Sequence, residues 1–560
     1  MSTPHLAAAR TWLAQDPDAE TRDELTAVIA AAEAGDATAI ADLADRFGTR
    51  LAFGTAGLRG RLGAGSNRMN RVLVTQAAAG LAAYLLEKAG PDAPPTVVVG
   101  YDGRRGSERF ARDSAEVFAG AGLRAVLLPR LLPTPVLAFA VRHLGADAGV
   151  MVTASHNPPD DNGYKVYLGG ADDGAQIVPP SDSEIAAQIQ RVADAGDIGS
   201  LPRSDDFEIA DNAVVEAYVT ATATVAPAPA GAAGMRWVYT AMHGVGSETL
   251  HRILDAAGYP HPVPVREQAE PDGRFPTVSF PNPEEPGAMD LAFETARGAR
   301  AEFILANDPD ADRLAVAIPD AEAGEGWRRL TGNQIGLLLG WRAARRAAEG
   351  GVAPGASLAC SLVSSPALQT VAERYGLDFH ATLTGFKWIS RAPGLVFGFE
   401  EALGYLVNPE TVRDKDGISA AVAILGLAAE ARETGRTLGD LLAEFDAEFG
   451  HVASGQVSVR VEDLSVIPRI MSALRAAPPT RIGDLDVVSF EDLAAPVEGP
   501  PVGDILRVWL AGDARLLVRP SGTEPKLKLY LDVRGETARD AASRLSALET
   551  GVRALLDTIG

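Results

Sequence analysis

The chain has 560 residues, of which 46% are hydrophobic and 22% are charged, and its formal net charge is −23. This length predicts several domains, because a single hydrophobic core stops growing near ~250–300 residues. The acidic balance disfavours nucleic acids and anionic membranes as partners. Cys360 is the single cysteine, so no intrachain disulfide can form, which is typical of a reducing cytoplasm.

The first residues do not resemble a targeting signal. Residues 1–20 contain acidic side chains and no long apolar segment. The longest apolar run, residues 418–429, is too short to span a bilayer. We therefore expect a cytoplasmic protein, and we further expect a monomer or homodimer with a small-molecule substrate.

In chain order, residues 4–48 carry Ala, Leu and Glu at helical spacing and predict helices. Strands at 97–99, 238–240 and 358–362 are then each followed by a loop and a helix. A second kind of strand ends in a polar loop and is followed by another apolar run, at GVMVTASHNP, EFILANDPDADR and LVFGFEEALGY. These recurring pairs predict three similar α/β units, and the pattern after residue 453 predicts a smaller α+β domain.

Changes in composition at residues 226–234, at 321–327 and near Gly450 predict the domain boundaries. We expect domain 1 at residues 1–210 with the TASHNP loop and domain 2 at 211–325 with the DPDADR loop. Domain 3 is expected at 326–450 with the FEEALGY loop, and domain 4 at 451–560 with the RPSGTEP loop.

The acidic loop NDPDADR carries alternating Asp308, Asp310 and Asp312 after an apolar strand. Carboxylates packed this closely repel one another unless a cation lies between them, and hard oxygen ligands suit Mg²⁺. A solvated acidic turn is the alternative. An EF-hand loop is excluded, because its glycine and glutamate positions hold Arg313 and Pro319.

Ser155 follows a strand and precedes a rigid turn, which would project its hydroxyl into a cleft, although a structural turn is the alternative. The G-x-S-x-G elbow of hydrolases is excluded by Thr153 and Asn157. Adjacent side chains on an extended segment diverge, so His156 is not expected to activate Ser155. Lys165, ten residues on, could face a phosphate.

Other loops carry donors and charges suited to a sugar phosphate. Arg519, Ser521, Gly522 and Thr523 offer a guanidinium, hydroxyls and exposed N–H groups, which suits a phosphate or an ordinary β-turn. Glu400 and Glu401 follow an apolar strand, and a carboxylate there could accept hydrogen bonds from sugar hydroxyls or cap the following segment. Basic residues near it in sequence are Lys387 and Lys415.

The loops FGTAGLRG, TASHNPPDDNGYK, DPDADR, TGFK, FEEALGY and RPSGTEP occur in this order between about Leu51 and Val533. This order resembles the α-D-phosphohexomutase superfamily, which includes phosphoglucomutases and phosphomannomutases. The variants FGTAGLRG and FEEALGY are most similar to the phosphoglucomutase–phosphopentomutase branch.

The resemblance implies an α/β fold with three related α/β domains and a smaller α+β C-terminal domain around a central cleft. It implies a phosphorylated Ser155 and one Mg²⁺ held by Ser155, Asp308, Asp310 and Asp312. It further implies catalytic roles for Ser155, His156, Lys165, Arg59 and Arg313. The implied substrate-binding residues are Thr384, Gly385, Lys387, Glu400, Lys415, Arg519, Ser521, Gly522 and Thr523.

The implied reaction interconverts hexose 1-phosphate and hexose 6-phosphate, with glucose favoured and glucose 1,6-bisphosphate as activator. Many glucose-specific relatives have a serine where this chain has Ala402, so phosphopentomutase and phosphomannomutase activities are alternatives. A phosphatase is disfavoured because it would not need the second phosphate loop at Arg519. A sugar-phosphate sensor without catalysis is disfavoured because it would not need Ser155 and the three aspartates. The distance of the Arg519 loop from Ser155 in sequence predicts that the last domain closes on substrate as a mobile lid.

Overall fold

The computed structural model of the protein describes residues 4–90, 94–461, 463, 465–495, 503–520 and 526–559. The chain divides into a first unit, Met1–Leu330 with Gly404–Thr434, and a second unit, Thr331–Leu403 with Gly435–Gly560. Among the described residues, no helix combines the length and the apolar character needed to cross a bilayer.

Three helices precede the first sheet, as the helical spacing of residues 4–48 predicts. They are α1 (Pro4–Gln15), α2 (Ala19–Glu33) and α3 (Ala37–Phe47). The side chains of Asp18 and Asp36 accept hydrogen bonds from the first turns of α2 and α3, which satisfies donors that have no partner inside the helix. Trp12, Leu25 and Leu43 are buried in a small core of this region.

The first sheet positions the turn that contains Ser155. Its strands and helices are β1 (Leu58–Arg61), α4 (Arg71–Lys88), β2 (Thr96–Tyr101), α5 (Ser107–Gly120), β3 (Arg124–Leu127), α6 (Thr134–His143), β4 (Ala148–Val152), β5 (Asp161–Leu168), β6 (Ala175–Gln176), α7 (Ser181–Ala195) and β7 (Glu208–Ile209). The strand order is β1-β5-β4-β2-β3-β7, with β6 against β5. Because β4 and β5 are antiparallel, the turn between them returns Lys165 alongside Met151.

The second sheet positions the acidic loop in the same way. Its elements are α8 (Ala213–Ala223), β8 (Trp237–Thr240), α9 (Gly246–Ala257), β9 (Val263–Pro264), α10 (Asp290–Ala299), β10 (Phe303–Asn307), β11 (Leu314–Pro319) and β12 (Trp327–Arg329). The strand order is β12-β11-β10-β8-β9. Since β10 is fully buried and antiparallel to β11, the DPDADR loop is the turn of a hairpin anchored in the core.

The next stretch of chain belongs to both units. Its elements are α11 (Gly332–Glu349), β13 (Ser357–Ser361), α12 (Ala367–Tyr375), β14 (Asp378–Thr382), α13 (Phe386–Ile389), β15 (Leu395–Glu400), β16 (Gly404–Leu406), α14 (Gly417–Glu433) and α15 (Leu438–Phe449). In the second unit, β13 lies between parallel β14 and β15. Strand β16 and α14 belong to the first unit, where α14 is buried along most of its length, so the apolar run at 418–429 is a core helix.

The last region is the smaller α+β domain that the sequence predicts. Its elements are β17 (His451–Arg460), α16 (Val466–Ala476), β18 (Arg481–Ile482), β19 (Leu485–Asp492), β20 (Leu506–Leu510), β21 (Ala514–Pro520), β22 (Lys526–Gly535) and α17 (Ala538–Ile559). The antiparallel strands have the order β17-β22-β21-β20-β19-β18. Both helices contribute side chains to the same apolar core as the strands.

Candidate active site

Ser155 lies in the turn after β4 and is almost fully buried. Its backbone φ is +53°, in the left-handed region that residues other than glycine seldom adopt. The Thr153 hydroxyl accepts a 2.8 Å hydrogen bond from the Ser155 N–H group. Ser155 Oγ donates to Asp308 Oδ2 at 2.9 Å, so the fold brings the predicted nucleophile and the acidic loop together.

The position of His156 corrects an expectation from the sequence. Its Nδ1 lies 3.2 Å from Ser155 Oγ, because the left-handed backbone at Ser155 breaks the extended geometry on which divergence of the two side chains depends. Burial, and then the guanidinium groups of Arg313 and Arg59, hold the pKa of His156 well below its usual value. The ring is therefore neutral near pH 7 and can exchange a hydrogen bond with the serine hydroxyl.

The three aspartates of the acidic loop converge in the core. Asp308, Asp310 and Asp312 are each 0% exposed, and one carboxylate oxygen of each lies within 4.8 Å of the others. A left-handed residue, Ala311, turns the loop back toward β11. The structure therefore excludes a solvated acidic turn.

Two lysine side chains contact the carboxylates of Asp310 and Asp312. Lys165 Nζ donates to Asp310 Oδ2 at 2.7 Å and to Asp312 Oδ2 at 2.8 Å. Lys415 Nζ lies 3.1 Å from Asp312 Oδ2. Burial opposes the charged form of Lys165, but the carboxylates of Asp310 and Asp312 together raise the pKa of its ammonium. Lys165 is therefore charged in the core beside the acidic loop.

The donor set fits a further cation. Burial together with Asp310 and Asp312 raises the pKa of Asp308 well above its usual value, so three charged carboxylates are unfavourable here without a further cation. Asp310 Oδ1 and Asp312 Oδ1 are buried and have no hydrogen-bond partner in the described part of the chain. Buried oxygens without a hydrogen-bond partner are unfavourable unless a cation binds them, and carboxylate oxygens suit Mg²⁺.

Thr134 is a member of this site that the sequence analysis missed. At the start of α6, its Oγ1 donates to Asp310 Oδ2 at 2.6 Å, and its N–H group donates to the Asp310 carbonyl at 2.9 Å. A Thr-Pro pair opening a helix is too common to predict such a contact, which joins positions 176 residues apart in sequence.

Two predicted arginines lie near the Ser155 turn and the acidic loop. Arg59 is on β1 opposite Gly163 of β5, and its Nη1 donates to Asn157 Oδ1 at 3.3 Å. The Arg313 N–H group donates to Asp308 Oδ1 at 3.0 Å, and its Nε lies 3.8 Å from Asp312 Oδ1. The first unit therefore gathers every catalytic and metal-binding residue that the resemblance implies, and also Lys415.

The other implied substrate-binding residues lie in the second unit or outside the described residues. Thr384 and Gly385 precede α13, Lys387 lies in it, and Glu400 ends β15. Arg519 lies on β21, opposite Lys528 of β22. The predicted Ser521, Gly522 and Thr523 lie outside the described residues.

Glu401, the second carboxylate of the FEEALGY loop, bonds two serines of the second unit. Its Oε2 accepts hydrogen bonds from the hydroxyls of Ser361 at 3.1 Å and Ser364 at 2.9 Å. Its N–H group donates to Ser364 Oγ at 3.0 Å. These contacts fix the backbone directly after Glu400 to the end of β13.

Models of four successive domains match the chain. They describe the phosphoglucomutase/phosphomannomutase α/β/α domains I, II and III at residues 50–195, 216–323 and 331–449, and the C-terminal domain at 458–545. The chain belongs to the phosphoglucomutase/phosphomannomutase family. It is therefore a phosphosugar mutase, an isomerase that moves a phosphoryl group between two positions of a sugar.

Relatives in this family carry names with different sugars. A protein named "probable phosphomannomutase" from Haemophilus influenzae is 54% identical over 490 residues, covering 87% of this chain and 98% of its own. Human phosphopentomutase is 34% identical over 538 residues, covering 87% and 85%. The fold is shared with a phosphoglucomutase/phosphomannomutase family protein from Burkholderia thailandensis, with a TM-score of 0.68, 21% identity, and coverage of 91% and 98%.

Proposed function

We propose that this enzyme interconverts hexose 1-phosphate and hexose 6-phosphate, with glucose favoured, through a phosphorylated Ser155 and a sugar bisphosphate. The observation that carries the proposal is the buried hydrogen bond from Ser155 Oγ to Asp308. A serine that is hydrogen-bonded to one of three clustered, buried carboxylates is suited to carry a phosphoryl group beside a divalent cation. The single cysteine and acidic composition support a cytoplasmic enzyme.

We assign the cation as Mg²⁺, held by Asp308, Asp310, Asp312 and an oxygen of phosphorylated Ser155. When bound, it would neutralise charge on the phosphoryl oxygens. Asp310 Oδ1 and Asp312 Oδ1, which accept no hydrogen bond from any described residue, support this assignment. Phosphorylation of Ser155 also removes the proton that its hydroxyl donates to Asp308, which leaves that carboxylate for the cation.

The remaining residues of the first unit would orient the reacting groups. Phosphoryl transfer requires in-line positioning and cancellation of charge rather than covalent chemistry by further side chains. Lys165, held by two aspartates, and the guanidinium groups of Arg59 and Arg313 would supply that charge. Neutral His156 would keep a hydrogen bond to the oxygen that links Ser155 to the phosphoryl group.

The second unit supplies the remaining groups of the proposal. Glu400, Thr384, Gly385 and Lys387 would bind the sugar, and Arg519, Ser521, Gly522 and Thr523 would bind the phosphate that is not being transferred. Arginine forms strong charge-assisted hydrogen bonds with phosphate, which suits Arg519 to this role. Lys415 is proposed as a substrate contact that also pairs with Asp312. Glucose 1,6-bisphosphate would activate the enzyme by phosphorylating Ser155.

A pentose phosphate is the second candidate substrate. Ala402 provides no hydroxyl two residues after Glu400, and absence of a hydrogen-bonding group can change discrimination between sugars strongly. The similarity to a phosphopentomutase supports the same alternative.

Assays with glucose, mannose, ribose and glucosamine 1-phosphates, with Mg²⁺ and glucose 1,6-bisphosphate present, test the substrate. Glucose 1-phosphate should have the highest kcat/KM, and little free phosphate should appear. Ser155→Ala should abolish turnover and remove a phosphate from the Ser155 peptide in mass spectra, whereas Ser200→Ala should change neither. Full activity of Ser155→Ala would refute the proposal, and phosphate release as the main reaction would indicate a phosphatase.

A further inference from the structure

Arg104 is a buried residue of the first unit to which the proposed reaction assigns no role. It follows β2 and is 4% exposed. Its Nη2 donates to the carbonyls of Ser155 and Asn157, both at 2.6 Å. Its Nη1 donates to the carbonyls of Pro158 at 2.9 Å and Asp161 at 3.2 Å. One guanidinium therefore binds four backbone carbonyls of the turn that carries Ser155.

The guanidinium is itself fixed from other directions. Asp102 Oδ2 lies 3.5 Å from Arg104 Nε. The other oxygen, Asp102 Oδ1, accepts hydrogen bonds from the backbone N–H of Arg104 at 3.0 Å and from Ser107 Oγ at 2.7 Å. The ring centroid of Phe275 lies 4.9 Å from Arg104 Cζ. Because arginine is planar and stays charged, these contacts define the plane in which it meets the turn.

The four carbonyls belong to a turn that is strained at Ser155. A residue other than glycine seldom adopts the left-handed region, and it persists there where surrounding contacts over-determine it. The Thr153 hydroxyl holds the N–H side of Ser155, and Arg104 holds its carbonyl side. The same backbone conformation directs Oγ to Asp308 and brings His156 beside it.

We propose that Arg104 is a positioning residue for phosphoryl transfer, acting by holding the Ser155 turn in the conformation that aligns Oγ. This inference rests on the proposed role of Ser155 as phosphoryl carrier. Arg104 binds carbonyls on the backbone side of the turn and would act on the transfer step rather than on affinity for the sugar phosphate.

Arg104→Lys is the main variant, because lysine keeps the charge but lacks the planar fork that binds several carbonyls. Arg105→Lys is the matched control, since Arg105 is half exposed and bonds the Asp160 side chain of the same turn. Arg104→Lys should lower kcat by about 100-fold, the effect expected of a misplacement near 1 Å, with KM changed less than twofold. Arg105→Lys should match the wild type in both.

Two further measurements separate positioning from general loss of structure. Deuterium exchange at amides 155–161 should be faster in Arg104→Lys than in the control, with exchange in β10 unchanged. Arg104→Ala should regain activity in millimolar guanidinium chloride but not in equal potassium chloride. If Arg104→Lys does not fold, Asp102→Asn, which removes the partner of the guanidinium, should give the same pattern with a kcat loss of about 5-fold.

Equal kcat for the Arg104 and Arg105 variants, or equal exchange at 155–161, would overturn the inference while leaving the proposed function intact. A proportionate rise in KM would also overturn it. If the wild type converts none of the four sugar phosphates, the proposed function fails instead. In that case, unchanged deuterium exchange at residues 155–161 in Arg104→Lys still shows that Arg104 does not hold the turn. Faster exchange in the same variant shows that it does.

Discussion

At the scale of single residues, the site depends on backbone conformations that few side chains adopt. Ser155 and Ala311 both have positive φ, at 53° and 56°. Each sits in a turn of an antiparallel hairpin whose strands are buried. The packed strands hold both turns, so that one hydroxyl and three carboxylates meet in the core.

Replacement of Asp310 tests the cation site. Asp310→Asn removes one carboxylate charge beside Lys165 and Thr134, and activity should fall by about 3 kcal/mol in transition-state stabilisation, roughly a hundredfold. The metal concentration for half-maximal activity should rise, as measured by titration of Mg²⁺ into EDTA-treated enzyme. Asp205→Asn, at an exposed position, is the control. Activity of the wild type that is insensitive to EDTA would exclude the metal site.

Ala402 is the residue at which we expect sugar discrimination to be set. The wild type should convert both hexose and pentose phosphates, because no hydroxyl is provided at this position to select a hexose. Ala402→Ser should raise the kcat/KM ratio of glucose 1-phosphate over ribose 1-phosphate by about 10-fold, the scale of one hydrogen bond. Ala301→Ser, outside the proposed sugar site, controls for an added hydroxyl. A wild type already strict for glucose, with no change in the variant, would exclude this role.

At the scale of elements, the first turn of the buried helix α14 is capped by a buried carboxylate, that of Asp416. Asp416 Oδ1 accepts hydrogen bonds from the N–H groups of Ile418 at 3.0 Å and Ser419 at 2.9 Å. The hydroxyl of Tyr218 on α8 donates to the same carboxylate at 3.0 Å. Burial nevertheless dominates and raises the pKa of Asp416 to about 6.

This raised pKa predicts a pH dependence of stability. The folded carboxyl binds its proton more tightly than the unfolded one, whose pKa is near 3.8. Its contribution is therefore complete below about pH 4 and is lost as the pH rises through 6, about 3 kcal/mol in all. Asp416→Asn removes this ionisation and keeps an oxygen acceptor for the cap. The urea midpoint of Asp416→Asn should therefore rise relative to that of the wild type as the pH increases from 4 to 6.5. A difference between the two midpoints that does not change with pH would contradict the assignment.

At the scale of the whole molecule, the chain passes between its two units three times. It leaves the first unit after Leu330, re-enters it for Gly404–Thr434 and leaves again. That return delivers Lys415 to the acidic loop and α14 to the core of the first unit. A residue predicted to bind substrate from a loop of domain 3 therefore lies beside the aspartates of domain 2.

The second unit also bears on the expectation of a mobile lid. Arg515 on β21 donates to the carbonyls of Leu362 at 3.0 Å and Ser364 at 2.6 Å and pairs with Asp532. A buried apolar cluster that includes Leu362, Leu517 and Tyr530 also packs Leu362 against β21 and β22. A closing motion of the last domain by itself would have to break these buried contacts, so residues 331–403 should move with it.

Arg519→Ala tests the phosphate role of the last domain. Loss of a charge-assisted contact costs about 1.5–3 kcal/mol, so KM should rise about 10–100-fold. More hexose bisphosphate should also escape per turnover, as measured by enzymatic assay of the released intermediate. Ser155 should still accept phosphate from added bisphosphate. Arg539→Ala, on an exposed part of α17, is the control, and unchanged KM and escape in Arg519→Ala would exclude the role.

Much of the fold is encoded in local patterns of the sequence. Apolar runs such as VVV at 97–99 and FILA at 303–306 predict buried strands because strands covered on both faces are apolar throughout. Both lie in strands of the structure, β2 and β10. The order of short loops likewise indicated the family, which four domain models confirm. The predicted domain boundaries and residue roles stay predictions.

Contacts between distant parts of the chain could be decided by the tertiary structure alone. The sequence could name Ser155 and Asp308 but not their hydrogen bond, which joins positions 153 residues apart. The sequence also suggested that the His156 side chain points away from Ser155. It does not, because Thr153 and the distant Arg104 stabilise a left-handed turn at Ser155. Thr134 and Arg104 had no local signal, since their roles depend on which backbone and side-chain groups packing brings within hydrogen-bond distance.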